Sequence, residues 1–225
     1  DTGATAGGGL IGYFNPFAYS STTLFYMFSL LKFASSVYLF HKALLPLPIA
    51  RYFGRVFHFF TAPFVLAMQY SGLRGNLIDR IGDGVYLGAA PYSWNMQQLL
   101  VNNIGAVVNL CDEYGGPVTL YAKHNIRQLY LPTVDHYEPE LSELRTAIKF
   151  IEQEVDSGNN VFIHCKAGRG RSGAVAICWV AYRHHKTLEQ AQQILLERRS
   201  KVRKSLYKQK NVLAFYSKYC VNGVP

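Results

Sequence analysis

The nine residues from His164 to Ser172, HCKAGRGRS, constrain the fold of this chain more than any other segment. An apolar strand is predicted directly before them, over residues 160–164, and a largely apolar helix follows over 171–184. A loop between a strand and a helix lies at the carboxyl end of the strand, where ligands bind in α/β sheets. The segment therefore predicts an α/β fold with a binding site at this loop.

Beyond residue 76 the sequence continues to alternate short strands with helices. Residues 106–111 are predominantly apolar, which is typical of a strand inside a sheet that helices cover on both faces. Ser93 has the side chain of a helix N-cap, and Pro132 is expected to end a strand. The predicted strands are 84–88, 106–111, 126–131 and 160–164, and the predicted helices are 93–102, 140–156, 171–184, one from Thr187 and 206–219. This alternation predicts a sheet flanked by helices.

The loop between Cys165 and Arg171 has the composition of an anion-binding loop. Two of its five residues are glycine, so successive backbone N–H groups can converge on one point. Such a nest at a helix N-terminus binds a tetrahedral dianion. The residues predicted to bind substrate phosphate are Lys166, Ala167, Gly168, Arg169 and Gly170.

The residues at both ends of this loop suggest nucleophilic chemistry. The N–H groups, the helix dipole and Arg171 should lower the pKa of Cys165 from about 8.5 to between about 3.5 and 7.5, which predicts a thiolate nucleophile. The planar fork of Arg171 can hold two phosphate oxygens. Ser172 can donate a hydrogen bond to the thiolate, and His164 is expected to orient the loop from behind by hydrogen bonding. The alternative is that Cys165 is an ordinary buried cysteine at a strand end.

Cys165, Arg171 and Ser172 form a Cys-X5-Arg-Ser signature between an apolar strand and a helix. This signature resembles that of the cysteine-dependent phosphatases with the tyrosine and dual-specificity phosphatase fold. The resemblance implies a dual-specificity-phosphatase-like sheet in residues 76–225 and a phosphoric monoester hydrolase with a phosphocysteine intermediate. It also implies no metal or other cofactor, because the thiolate, the loop and Arg171 perform the work of Mg²⁺ in other phosphoryl-transfer enzymes.

Such enzymes need an acid that protonates the departing alkoxide, because an alkyl alcohol is a poor leaving group. Asp135 lies 30 residues before Cys165, and this placement resembles that of the general acid in the family. The resemblance implies that Asp135 donates this proton and later activates the attacking water. A plain turn or helix-initiating role is the alternative for Asp135. The other candidate acids are Glu138, Asp112 and Glu113.

The loop sequence CKAGRGR is similar to that of two lipid-directed groups, the mitochondrial phosphatidylglycerophosphate phosphatases and the phosphoinositide 3-phosphatases. Residues 79–92, 107–114 and 131–135 resemble the first group and follow in the expected order. Two features depart from that group. Gly115-Gly116 stand where it has an acidic residue, and the pair His136-Tyr137 is closer to the phosphoinositide group.

The expected reaction is therefore hydrolysis of phosphatidylglycerophosphate to phosphatidylglycerol. The alternative is a dual-specificity phosphatase that acts on phosphotyrosine and phosphoserine proteins or on phosphoinositides, in which case Lys166 and Arg169 only attract anions in general. A further alternative, from a different class, is a pseudophosphatase that binds phosphorylated partners without turnover. The presence of Cys165, Arg171 and Asp135 argues against it.

The first third of the chain differs from the rest, because residues 2–78 contain no Asp or Glu over a run of 77 residues. Its two apolar blocks, 24–40 and 56–70, are each shorter than the roughly 20 residues of a spanning helix. Lys32 interrupts the first block and Pro63 the second. The composition predicts interfacial helices whose aromatic side chains lie at headgroup depth.

We expect residues 1–75 to form this membrane-associating or targeting region, with the boundary at residues 71–76. A single tilted span over residues 22–45, a targeting segment and a buried pair of core helices are the alternatives. Because the chain begins at Asp1 rather than Met, we also expect that its true N-terminus is missing.

The charge balance favours an anionic partner. The chain has 23 Lys and Arg against 14 Asp and Glu, a net charge of +9, and residues 183–210 contain nine basic residues that could face an anionic membrane. No nucleic-acid-binding module is recognisable, so nucleic acid is not expected as a partner. The four cysteines fit neither a disulfide framework nor zinc-ligand spacing. The expected location is intracellular, at the mitochondrial inner membrane or, as the alternative, at another organelle membrane.

Overall fold

A computed structural model of the chain describes residues 21–71 and 75–221. The helices are α1 (Ser21–His41), α2 (Leu47–Tyr70), α3 (Met96–Val101), α4 (Val118–Lys123), α5 (Leu141–Asp156), α6 (Arg171–Arg183), α7 (Leu188–Arg198) and α8 (Lys210–Phe215). The strands are β1 (Ile78–Gly82), β2 (Val85–Ala89), β3 (Ile104–Cys111), β4 (Arg127–Thr133) and β5 (Asn160–Cys165). The predicted fold, a sheet flanked by helices and preceded by apolar helices, is confirmed.

The five strands form one sheet in the order β1-β2-β5-β3-β4. β1 is antiparallel to β2, whereas the other neighbouring strands are parallel to each other. The last residues of the parallel strands are in register, since Ala89 pairs with Cys165 and Cys111 pairs with Thr133. The loops that follow all four parallel strands therefore meet at one edge of the sheet.

Helices cover both faces of the sheet, and β5 contributes to a hydrophobic cluster on each face. Val161 and Ile163 belong to the larger cluster, which also contains the apolar residues of α5 and α6. Phe162 points to the other face and packs with residues of α3 and α4. Because side chains alternate between the two faces of a strand, burial on both sides requires an almost continuous apolar sequence.

Two predicted element limits are wrong. Ser93 is not a helix N-cap, because it lies in a 3₁₀ turn at Ser93–Asn95 that follows Tyr92, and α3 begins only at Met96. The backbone N–H of Tyr92 donates to the Asn95 side chain instead. Pro132 does not end its strand, because β4 is an edge strand and one of its sides needs no hydrogen-bond partner.

Other elements had no clear signal in the sequence. β1 and α4 were not predicted, since each is short and has only weak periodicity. The predicted helix 206–219 is broken into a 3₁₀ turn at Leu206–Lys208, helix α8 and a π-helical turn at Tyr216–Val221. The break occurs at Gln209, whose backbone is extended.

The described part of the chain divides between residues 39 and 40 into two compact units. Within the described residues of the first unit, α1 has mostly exposed apolar side chains. The stretch Thr22–His41 is, at 20 residues and a mean hydropathy of 1.4, long and apolar enough to cross a membrane. It is longer than the predicted apolar block because the helix begins before that block and continues past it.

Helix α2 belongs to the same compact unit as the sheet. Its Ala50 is fully buried in a small apolar cluster with Phe40 and Val134, the residue that follows β4. The division into residues 1–75 and 76–225 therefore stays a prediction. Part of its boundary, residues 72–74, lies outside the described residues.

Two arginines of α2 bind a carboxylate at the edge of the sheet where the parallel strands end. Arg51 and Arg55 each place Nε 3.0 Å from a carboxylate oxygen of Asp112, which directly follows β3. The Asp112 side chain is only 4% exposed, so its charge depends on these two partners. The ion pairs hold α2 beside the loops that follow the parallel strands.

Candidate active site

Three residues at or just after the ends of three strands lie around Arg171, the first residue of α6. Cys165 ends β5, Glu113 comes two residues after β3, and Asp135 comes two residues after β4. Because these strands are parallel, their carboxyl ends bring the three side chains to the same edge of the sheet. Nη1 and Nη2 of Arg171 each donate a 2.7 Å hydrogen bond to Glu113, and Nη2 lies 3.0 Å from Oδ1 of Asp135.

The thiol of Cys165 lies in an environment that favours its ionised form. Ser172 Oγ donates to Cys165 Sγ at 3.2 Å, and the sulfur is almost completely buried. Burial by itself raises the pKa of Cys165, but the charge of Arg171 and the hydrogen bonds from Ser172 outweigh it. The backbone N–H of Arg169 acts in the same direction, so the pKa of Cys165 lies below its ordinary value.

Close backbone packing determines the shape of the loop after Cys165. Gly168 has a φ of +66°, and a Cβ there would lie 2.3 Å from the backbone of Gly88 in β2. Gly170 is the residue directly before α6. Any side chain at Gly168 would therefore push the loop away from the sheet.

Arg199 binds the backbone carbonyls of this loop. This role was not predicted from the sequence. The Arg199 guanidinium is almost completely buried and donates from Nε to the Gly168 carbonyl at 2.8 Å and from Nη2 to the Ala167 carbonyl at 3.1 Å. Nη1 forms an ion pair with Asp79 of β1. In the sequence Arg199 stands among other basic residues, so nothing distinguished it from a solvated surface cation.

One donor of the Arg171 guanidinium is left without a partner among the described residues. Arg171 as a whole residue is 3% exposed. Besides binding its two acidic partners, its guanidinium donates from Nη1 to the Thr133 carbonyl at 2.9 Å. Its buried Nε has no hydrogen-bond partner among the described residues. Burial disfavours the charge, but Asp135 and Glu113 raise the pKa of Arg171 well above its ordinary value. A permanently charged donor is therefore available to an anion in the loop.

Of the candidate acids, Asp135 is the one that lies in the cleft above the Cys165 loop. Its side chain is 30% exposed. Burial raises the pKa of Asp135, but the charge of Arg171 and other nearby cations outweigh it, so the pKa is lowered overall.

The other three candidate acids lie outside the cleft. Glu113 is bound to Arg171, and Asp112 is bound to α2. Glu138 accepts a hydrogen bond from the backbone N–H of Asn211, which is in α8.

The loop that carries Asp135 is fixed to the junction between α1 and α2. The rings of His136 and His41 lie 4.4 Å apart, and His136 has a φ of +70°. The hydroxyl of Tyr137 donates to the carbonyl of Leu45. The position of the candidate acid therefore depends on residues that precede the sheet in the sequence.

The orienting role predicted for His164 stays a prediction, because its ring lies close enough to the backbone of Cys165 for that backbone to raise its pKa, but no hydrogen bond of ordinary geometry joins them. The residue is fully buried, its ring stacks on Phe162 at 5.5 Å, and neither ring nitrogen has a hydrogen-bond partner among the described residues. Burial lowers the pKa of His164 to about 3, which keeps the ring neutral. Because residues two apart in a strand share a face, His164 packs below the loop with Phe162 rather than beside it.

The two basic residues of the loop extend to different neighbours. Nζ of Lys166 lies 3.3 Å from Oγ1 of Thr61 in α2 and over the ring of Phe57. Nε of Arg169 donates to the carbonyl of Lys201 at 2.8 Å. The loop is thus connected to α2 on one side and to the segment after α7 on another.

A cleft of about 770 Å³ opens over this loop. Its apolar lining comes from α2, mainly Phe57, Phe64 and Val65. A second wall is the segment 200–204, which follows α7. Six of the lining residues are Lys or Arg, whereas Asp135 is the single acid among the described residues that line it. The cleft therefore combines an apolar wall with a strongly cationic floor and second wall.

The family of dual specificity phosphatase catalytic domains matches residues 85–218. The chain belongs to the dual specificity phosphatase family. It therefore carries a phosphoric monoester hydrolase domain of this family, and the predicted resemblance is confirmed.

Several known proteins resemble the dual specificity phosphatase domain of this chain. Phosphatidylglycerophosphate phosphatase PTPMT1 of Arabidopsis thaliana is 30% identical over 61% of this chain and 42% of its own length. Phosphatidylglycerophosphate phosphatase PTPMT2 of the same plant is 31% identical over 49% of this chain and 49% of its own length. The crystal structure of PTPMT1 in complex with PI(5)P has a TM-score of 0.60 and 25% identity, and the match covers 66% of this chain and all of that one. The chain thus spans less than half the length of the two plant relatives.

Proposed function

We propose that this protein is a lipid phosphatase that converts phosphatidylglycerophosphate to phosphatidylglycerol. The observation that carries the proposal is the composition of the cleft, where a helix supplies an apolar wall beside a cationic phosphate loop. A phospholipid with a terminal phosphate presents the same combination of apolar and anionic parts. The names of PTPMT1 and PTPMT2 and the bound phosphoinositide in the PTPMT1 crystal structure support a lipid substrate.

In the first step, the Cys165 thiolate attacks phosphorus, a sulfur–phosphorus bond forms, and the bond from phosphorus to the alcohol oxygen breaks. The phosphate oxygens bind to the loop N–H groups and to Arg171, whose Nε has no partner among the residues that the structure describes. Protonated Asp135 gives its proton to the departing alkoxide. The loop residues Lys166, Ala167, Gly168, Arg169 and Gly170 surround the phosphate.

In the second step, water attacks the phosphocysteine and Asp135 takes its proton, which releases inorganic phosphate and the thiolate. Ser172 stabilises the departing thiolate through its 3.2 Å hydrogen bond. His164 supports the loop by packing below it. These residues carry the two steps in the proposed mechanism without a metal ion.

The membrane-facing surface in this proposal is one side of α2. Its large exposed apolar residues recur at helical spacing, as expected of an interfacial helix. From Ile49 onward they are Ile49, Tyr52, Val56, Phe59, Phe60 and Phe64, and Leu47 at the start of the helix is exposed as well. Contiguous exposed apolar patches mark interaction surfaces, and the absence of acidic residues from 2–78 suits an anionic leaflet. We place the protein at the mitochondrial inner membrane, with α1 as a further candidate for membrane insertion.

The decisive experiment compares phosphate release from phosphatidylglycerophosphate, phosphoinositides and a phosphotyrosine peptide, with Cys165→Ser as the blank. The proposal predicts a clear preference for phosphatidylglycerophosphate. A preference for phosphoinositides or for the peptide would overturn the proposed substrate and favour the dual-specificity alternative. No release from any of them would indicate a pseudophosphatase.

The role of α2 is tested by replacing Phe59 and Phe60, which are 76% and 75% exposed, with serine. We expect hydrolysis of phosphatidylglycerophosphate in vesicles to fall at least about tenfold, because each buried Phe contributes about 1.5–3 kcal/mol. Hydrolysis of a short-chain, monomeric form should change little. Val101→Ser with Val118→Ser, two exposed residues outside α2, is the control. An equal loss on vesicles and monomers would exclude membrane docking by α2.

A further inference from the structure

Arg203 is a cation of the cleft that the mechanism above leaves unused. It lies in the wall formed by residues 200–204. Its Nη2 is 3.0 Å from the position that a Cβ on Gly170 would occupy, so the guanidinium packs directly against the phosphate loop. Burial, and in part the charge of Arg203, lower the pKa of His136, so Arg203 is also within electrostatic reach of the acid loop.

The backbone of Arg203 is anchored while its charge remains available. Its N–H donates to the carbonyl of Arg169 at 2.9 Å, and its carbonyl accepts from Gln192 at 3.2 Å. Among the described residues, no carboxylate forms an ion pair with its side chain. By contrast, Arg171 and Arg199 are both bound to acidic residues.

A half-buried guanidinium that has no carboxylate partner among the described residues is prepared to bind an anion, because no ion pair has to be broken first. Its neighbours in the wall, Lys201 and Lys204, are also cationic. The phosphate bound above Cys165 would be held by the loop and Arg171. A second anionic group of the same substrate would therefore meet Arg203 at the edge of the loop.

We infer that Arg203 forms a second anion-binding subsite. This subsite accepts the phosphodiester of a substrate whose phosphomonoester lies above Cys165. This inference rests on the proposed function, since phosphatidylglycerophosphate carries both groups on one glycerol. The subsite makes the enzyme selective for substrates with two anionic groups over those with a single phosphomonoester. The planar fork of arginine suits two oxygens of a phosphodiester better than a lysine would.

The test uses two soluble probes as competitive inhibitors of para-nitrophenyl phosphate hydrolysis. Glycerophosphoglycerol phosphate, the deacylated head group, carries a monoester and a diester, whereas glycerol 3-phosphate carries the monoester alone. The wild type should bind the head group about tenfold more tightly than glycerol 3-phosphate, as expected for one charge-assisted pair. Arg203→Gln should remove most of this preference, and Arg203→Lys should retain part of it.

Arg198→Gln is the matched control, because it removes one exposed positive charge from the same region without lining the cleft. It should keep the preference for the head group. An equal affinity of the wild type for both probes, or an equal loss of preference in Arg198→Gln, would overturn the inference. If Arg203→Gln fails to fold, as judged from its thermal unfolding, Arg203→Lys alone decides: an unchanged preference contradicts the role of the fork.

The result separates the subsite from the proposed function. A protein that prefers the head group but does not hydrolyse phosphatidylglycerophosphate retains the subsite and loses the proposed reaction. A protein that hydrolyses the lipid without preferring its head group retains the reaction and loses the subsite.

Discussion

The carboxylate of Asp135 lies 3.0 Å from Nη2 of Arg171 in the free site. The proposed acid is thus bound to the group that must hold the substrate phosphate. Because an incoming phosphate offsets the charge of Arg171, its binding should release Asp135 and raise the lowered pKa of that carboxyl. The ion pair would then couple phosphate binding to the protonation of the acid.

The first prediction concerns this competition for Arg171. In a Cys165→Ser background, Asp135→Asn should bind inorganic phosphate about fivefold more tightly, because a partly exposed ion pair contributes up to about 1 kcal/mol. Titration calorimetry measures the affinity. The carboxyl carbon of Asp135, followed by NMR against pH, should titrate higher with phosphate than without it. An unchanged affinity and an unchanged pKa would contradict the coupling.

The second prediction distinguishes the acid by its leaving group. Asp135→Asn should reduce turnover of an alkyl phosphate about a hundredfold or more, since general acid catalysis contributes about 10²–10⁴. An aryl phosphate, whose leaving group needs little protonation, should lose much less. Glu138→Gln serves as the control, because Glu138 is bound to the backbone of Asn211. Equal losses on both substrates would exclude Asp135 as the acid.

The third prediction uses the other cysteines of the chain as internal controls for Cys165. The pKa of Cys165 is lowered, whereas burial raises the pKa of Cys220, which is partly exposed, to about 11. A thiol with a lowered pKa keeps its reactive thiolate as the pH falls below the ordinary value, while the other thiols are already protonated. At pH 7 iodoacetamide should therefore label Cys165 first, as read by mass spectrometry.

Ser172→Ala should move the inflection of this labelling to higher pH, because it removes a hydrogen bond that stabilises the thiolate. The rate for Cys220 should not change in the variant. Labelling of Cys220 as fast as Cys165 in the native protein would argue against an activated thiolate.

The fourth prediction concerns the attachment of the acid loop to the α1–α2 junction. Tyr137→Phe removes the hydrogen bond to Leu45 and should lower turnover of alkyl phosphates more than that of aryl phosphates. Thermal unfolding should change little, since a typical hydrogen bond contributes about 0.5–1.5 kcal/mol. Tyr130→Phe, which changes an exposed tyrosine of β4, is the matched control. Equal effects on both substrates would make the contact structural only.

Local sequence patterns were sufficient for the loop and for most of the sheet. The strand, glycine-containing loop and helix around Cys165 are contiguous, and their signals of periodicity and turn formation act between neighbouring residues. The errors occurred where context overrides local preference. Pro132 is tolerated inside β4 because that strand lies at an edge, and edge position is a property of the assembled sheet.

Distant partners of the site were beyond such reasoning. Glu113 was interpreted as a candidate acid, yet it binds Arg171 from 58 residues away. Arg199 reaches Asp79 across 120 residues and supports the loop from below. The sequence does not distinguish a charged residue at the surface from one that is buried in an ion pair, because the fold alone decides which charges are removed from water.

The chemistry of this protein therefore lies in contiguous residues, and its environment lies in the fold. The spacing from Cys165 to Arg171 implies a phosphate loop in any structure that places it between a strand and a helix. Three features follow only from tertiary packing: α2 forms a wall of the cleft, Asp135 pairs with Arg171, and Arg203 packs against Gly170. Short-range order follows from local backbone preferences, whereas contacts between distant residues depend on the order of strands in the sheet and on burial.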